Sequence, residues 1–187
     1  MGGASSNAAV FLQFLYEKCG VFRSVEDMTQ EALQFGADIP FFLSSGTAWV
    51  EGIGEIIDPL VSITPYHYVI IYPNIECKTP VVYATLDQLG RFSKALSKNQ
   101  VTETPIGKND LLEPALHAYP ELKACYEKIQ ETSQEQVYMT GSGSTFFIPF
   151  SSAQKAKDNE TKLKNTYPKF IVSGVEPVST LFYTRLV

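Results

Sequence analysis

Four short stretches of the chain carry residue types and spacings that could do chemistry. Gly2, Gly3, Ala4, Ser5, Ser6 and Asn7 lead directly into Ala8, Ala9, Phe11, Leu12 and Leu15, apolar residues at helical spacing. Small residues ahead of a helix let successive backbone N–H groups converge on an anion. The helix dipole adds positive potential there, and serine hydroxyls can donate to phosphate or help hold Mg²⁺. The same residues would equally make a loose tail with Ser5 or Ser6 as the helix N-cap. A Walker A loop is excluded, because no Gly-Lys-Ser/Thr follows.

The second stretch is Gly36-Ala37-Asp38-Ile39-Pro40-Phe41-Phe42. An acid at a sharp break between a helix and an apolar segment suits a general base, and suits a turn cap just as simply. The third is Gly141-Ser142-Gly143-Ser144-Thr145, where glycines permit close backbone approach to a ligand or a neighbouring loop. A lone Gly-x-Gly is also an ordinary turn. The fourth is Thr79, whose hydroxyl falls at a helix start and would serve there as an N-cap.

Composition narrows what these stretches could act on. The 187 residues carry 15 Lys and Arg against 20 Asp and Glu, a net charge of −5. Such a surface has no general attraction for nucleic acid or anionic membranes, so a phosphate site must be local. No apolar run reaches the length of a membrane span, and no basic stretch precedes an apolar segment as in a signal peptide. Gly2 with Ser6 formally fits an N-myristoylation pattern, but any Gly/Ser-rich loop does so. Cys19, Cys77 and Cys125 are odd in number and widely spaced, which argues against disulfides or a zinc site and for a reducing cytoplasm. Neither His67 nor His117 has a metal-ligand neighbour at useful spacing, so no metal-ligating residues are expected.

The elements that must position these residues follow from periodicity and punctuation. A first helix should close at Gly20, and a second should start at Ser24 and end at a left-handed Gly36. Pro40 should break any helix near it. Thr47 to Glu51 and Glu55 to Ile57 read as a hairpin around Gly52-Ile53-Gly54, and His67 to Tyr72 reads as a buried strand. A helix should run from Thr79-Pro80 to Gly90, followed by a long polar loop over 91–108. Helices are expected over Asn109 to Ala118 and Pro120 to Glu131. Strands are expected over Val137 to Met139 and Thr145 to Phe150, then a helix capped by Ser151 or Ser152 and running to about Tyr167. Phe170 to Ser173 and Leu181 to Leu186 read as closing strands. Helices between isolated strands make this an α/β or α+β chain.

Taken in order, GGASSNAA, GADIPFFLSSGTAWVEGIGE, KTPVVY, NDL and MTGSGSTFF resemble the GHMP small-molecule kinase superfamily along essentially the whole chain. The GADIPFF…GTA…GIGE stretch is the specific part. It points to the branch acting on a cytidyl-linked methylerythritol rather than on mevalonate, homoserine or galactose. The resemblance implies an α+β, two-lobed fold. Residues 1–60 would be the remainder of an ATP-binding lobe like domain 2 of ribosomal protein S5, here incomplete, and 61–187 a ferredoxin-like C-terminal lobe.

The resemblance also implies transfer of the ATP γ-phosphoryl group, with Mg²⁺, to the 2-hydroxyl of that small molecule in isoprenoid synthesis. Gly2, Gly3, Ala4, Ser5, Ser6 and Asn7 would match the second half of the phosphate loop, and Gly141, Ser142, Gly143 and Ser144 a motif beside the phosphates. Asp38 would match the catalytic aspartate and Thr79 a threonine at the substrate end of the cleft. The location would be the cytoplasm of a bacterium, or a plastid. The family's Pro-Ala-Lys-(Ile/Leu)-Asn-Leu strand, which supplies a catalytic lysine, has no match among these residues, and Ala4 replaces a usual glycine. A truncated product is therefore expected, weak as a kinase by itself and open to a separately made N-terminal fragment or to self-association.

Overall fold

The structure is a computed structural model that describes residues 2–44, 47–60, 66–90 and 109–176. These divide into two compact units, 2–60 and 66–176. The chain is α+β. The expected loop over 91–108 and strand over Leu181 to Leu186 lie outside the described residues.

The first unit contains α1 (Gly3–Lys18), α2 (Val25–Leu33), α3 (Ile39–Leu43) and a hairpin of β1 (Thr47–Glu51) and β2 (Ile56–Leu60). The hairpin is antiparallel, with Trp49 opposite Asp58. Ser24 caps α2 by accepting the Asp27 N–H at 3.1 Å, and Gly20 at φ +63° follows α1 as expected. Three local expectations fail. The N-cap of α1 is Gly2, with φ +63°, so Ser5 and Ser6 lie inside the helix, and Ser6 donates its hydroxyl back to Gly3 O. Gly36 does not adopt the left-handed conformation, and α2 has already ended at Gln34 in right-handed geometry. Pro40 starts a helix instead of breaking one: it lies in the first turn of α3, where its missing N–H has no partner to lose.

The second unit runs β3 (His67–Tyr72), α4 (Thr79–Leu89), α5 (Leu112–Ala118), α6 (Pro120–Ser133), β4 (Tyr138–Met139), β5 (Phe146–Phe150), α7 (Ala153–Thr166) and β6 (Ile171–Val175). Its antiparallel sheet has the order β4-β5-β3-β6, which is ferredoxin-like. Strand alternation sends Val69, Ile71, Phe146, Ile148, Phe150 and Val172 to one face. Val82, Ala115, Leu122, Ile129, Ala156 and Leu163 of the helices complete the core. β3, expected to be fully buried, is buried at Val69 and Ile71 and half-buried elsewhere. Ser152 caps α7, accepting the Lys155 N–H, and Gly90 at φ +60° ends α4. Thr79 does not cap α4: the N-cap is Lys78, and Thr79 is the first helical residue.

Candidate active site

In the first unit, α1 begins at a bare helix terminus. The N–H groups of Gly3, Ala4 and Ser5 precede the first intrahelical bond, from Ser6 N to Gly2 O at 2.8 Å. No side chain caps them, and the first turn holds no acid. Gly2 must be glycine on two counts: its φ is positive, and a Cβ there would meet Cζ of Phe42 at 2.6 Å. Phe42 belongs to α3, whose N-cap is Asp38. The two are four positions apart, about 6 Å along the axis. Gly2 thus lies against α3, the helix that follows Asp38. Asp38 is exposed, and its carboxylate makes no capping bond to α3, so the turn-cap use of this acid is not realised.

The hairpin read from sequence as a plain turn does more than reverse the chain. Gly54 has φ +124°, and a Cβ there would lie 2.2 Å from the carbonyl oxygen of Ala37. The turn therefore buttresses the backbone immediately before Asp38. The signal available in sequence was the glycine itself, which allows the close approach without naming its target.

In the second unit, Thr79 and the glycine loop come together. Thr79 Oγ1 and Ser142 Oγ lie 2.7 Å apart. Gly143, at φ +89°, is where close approach occurs: a Cβ would meet Met139 Sδ at 2.9 Å and Leu122 Cδ2 at 3.7 Å. Ser144 is buried and donates to Ile75 O. Cys77 Sγ would lie 3.7 Å from the same Cβ. Burial, and secondarily the nearby Glu121, push the Cys77 thiol up, so it packs beneath the loop as a neutral group rather than a nucleophile. Asn109 was not singled out as a site residue from sequence, yet its side chain spans the start of the loop. Its Nδ2 donates to Met139 O and Gly141 O, both at 2.8 Å.

The residues present fit a phosphate-bearing nucleotide at the start of α1: first-turn N–H groups with no capping side chain among the described residues, no carboxylate in the first turn, and glycine where bulk would collide. Among the described residues no group of three His, Cys, Asp or Glu could hold a metal ion. No helix among the described residues is long and apolar enough to cross a membrane.

The second unit is a βαββαβ arrangement that carries a glycine loop against a helix start. The GHMP kinases C-terminal family model matches residues 81–169, which lie within the second unit. Among curated relatives, it is similar to 4-diphosphocytidyl-2-C-methyl-D-erythritol kinase of Geobacter metallireducens, 30% identical over 92% of this chain and 63% of the relative. It is similar to the enzyme of that name from Syntrophotalea carbinolica, 31% identical over 96% of this chain and 65% of the relative. A crystal structure of 4-(cytidine 5'-diphospho)-2C-methyl-D-erythritol kinase superposes with a TM-score of 0.73 at 27% identity, over 95% of this chain and 66% of that one. The chain thus spans about two thirds of the length of the proteins it matches.

Proposed function

We propose that this chain is the greater part of a small-molecule kinase that transfers the γ-phosphoryl group of ATP to the 2-hydroxyl of 4-diphosphocytidyl-2-C-methyl-D-erythritol. The observation that carries the reading is its likeness, along nearly the whole chain, to kinases named for that compound. Bound ATP with Mg²⁺ supplies the phosphoryl group and neutralises charge on the transferring oxygens. The first-turn N–H groups of Gly3, Ala4 and Ser5 bind phosphate oxygens, aided by Ser6 and Asn7. Asp38 accepts the proton of the 2-hydroxyl. Thr79 binds the substrate, and Gly141, Ser142 and Gly143 present backbone and hydroxyl donors to the phosphates. The enzyme would act in the non-mevalonate route to isoprenoids, in a bacterial cytoplasm.

The test is turnover by the purified chain with MgATP and the cytidyl compound, followed as ADP and phosphorylated product. No residue of the 187 corresponds to the lysine that the resemblance implies. Loss of one such positioned charge commonly lowers a rate on the order of 10²–10³. We expect slow turnover that rises when a relative's lysine-bearing segment is added in trans. Turnover that never appears, with neither ligand bound, would overturn the kinase reading. The apolar face that α1 exposes, Phe11, Phe14 and Leu15, supports a polypeptide partner on the first unit, either that segment or a second copy, which sedimentation of the two mixtures distinguishes.

A further inference from the structure

We propose that Asn109 and Tyr119 are positioning residues that together hold the Thr79 and Ser142 hydroxyls against each other. The role this gives them in ligand binding rests on the kinase reading above. An exposed hydroxyl–hydroxyl bond between residues 63 apart in sequence competes with water and cannot by itself fix two elements. Both partners are instead anchored from one segment.

On the loop side, the Asn109 amide uses every group it has. Nδ2 donates to Met139 O at the end of β4 and to Gly141 O at the start of the loop, each at 2.8 Å. Oδ1 accepts the Leu111 N–H at 2.9 Å. Two carbonyl partners require nitrogen and one N–H partner requires oxygen, so the amide orientation is set by its neighbours. The turn beyond closes through Thr140 N to Thr145 O at 3.0 Å and Gly143 N to Thr140 O at 3.1 Å. On the helix side, the Tyr119 hydroxyl accepts the Lys78 N–H at 2.9 Å, one residue before Thr79. Asn109 and Tyr119 flank α5, Leu112–Ala118, which is held in place by buried Pro114 and Ala115. A single packed helix therefore sets the spacing between the two anchors.

The demand on Asn109 is chemically narrow. Aspartate has the same shape, yet it would point a carboxylate oxygen at two carbonyl oxygens while still accepting from Leu111. Asn109→Asp should thus loosen the loop and spare the Leu111 bond.

Residue-resolved amide hydrogen exchange on the full 187-residue chain tests this, with urea midpoints measured alongside to subtract global unfolding. In Asn109→Asp, exchange at Thr140 and Gly143 should rise at least tenfold while Leu111 keeps its protection. In Tyr119→Phe, Lys78 should lose protection. Affinity for MgATP or for the cytidyl compound, measured by titration calorimetry, should fall about tenfold in both variants and in Ser142→Ala. Unchanged exchange at Thr140 and Gly143 in Asn109→Asp would overturn the proposal, as would altered exchange with ligand affinities equal to those of the native chain. If the native chain binds neither ligand while exchange changes as expected, the kinase reading fails and the anchoring of the hydroxyl pair stands. Should Asn109→Asp not fold, Asn109→Ser and Tyr119→Phe give the same decision, since each removes only one anchor.

Discussion

The two units have comparable stocks of apolar residues and use them differently. Among the described residues of 66–176, fourteen buried hydrophobic residues form one core. In residues 2–60 the core has four, Ala9, Ala32, Ile39 and Leu43, two of them alanines. Of the fifteen large hydrophobic residues exposed in the described chain, eleven belong to the first unit, Phe11, Phe22 and Phe35 among them. A groove of about 320 Å³ there is lined by Phe11, Leu15, Phe35 and Ile39, among others. The difference lies in layers. The second unit has a four-stranded sheet with helices packed on it, and those helices bury one face of the sheet. The first unit has three helices and an isolated hairpin, and a two-stranded hairpin is marginal by itself. Burial is decided by whether a second layer is present, not by composition.

The largest effects should separate the units in stability. Trp49, the one tryptophan of the chain, lies in β1 and reports on the first unit, whereas far-UV circular dichroism reports on both. In a urea titration the tryptophan transition should come at lower denaturant than the main dichroism transition, and coincident transitions would erase the contrast. Phe146→Ala, at a residue with no exposed surface, should cost about 3–5 kcal/mol and move the dichroism transition alone. Leu43→Ala should fall near the lower end of the Leu-to-Ala range, about 2 kcal/mol, because a small core relaxes around the cavity. Equal costs at the two sites would mean that the first unit is as well packed as the second.

A smaller and more local effect tests what holds the Asp38 segment where core is scarce. Gly54→Ala would force a Cβ against the Ala37 carbonyl at a φ of +124°. Strain of this kind costs roughly 1–3 kcal/mol. We expect a lower tryptophan midpoint, with NMR shifts at Ala37 and Asp38 and none along β3 or β5. Gly20→Ala is the control: its φ is positive but no atom lies within 4 Å, so it should lower stability without moving the Asp38 signals.

How much of this was legible in the sequence depended on the range of the interaction that decides each feature. The strand over FFIPF and the Ser24 and Ser152 caps are local, and they appear where the apolar run and cap chemistry place them. The start of α1 was misread because Ser5 and Ser6 are good caps, whereas Gly2 wins through room for Phe42, forty residues away. Pro40 was misread because a proline that stops one helix is equally suited to the first turn of the next. Motif order made the family recognisable and drew attention to Thr79 and Gly141 to Ser144. That their hydroxyls touch, and that Asn109 and Tyr119 anchor them, depends on pairing across the fold, and no local pattern encodes it.

The smallest effect concerns an exposed contact in the well-packed unit. Gly174 of β6 leaves room for Glu160 of α7, whose Oε2 would lie 2.8 Å from a Cβ at that position. The Glu160 carboxylate accepts from Lys164 Nζ at 2.6 Å. That bond first, then the backbone of Gly174, holds the carboxyl below its ordinary range. A carboxyl depressed in the folded state stabilises above its unfolded pKa, and the contribution is lost as pH falls through the folded value. Glu160→Gln should therefore lower stability at pH 7 by about 0.5 kcal/mol, as partly solvated pairs do. The gap to the native chain should stay constant down to roughly pH 4.5 and close below it. It should also shrink in 1 M salt. A gap that widened in acid, or exceeded the cost of Phe146→Ala, would show that the second unit depends on its surface charges more than on its core.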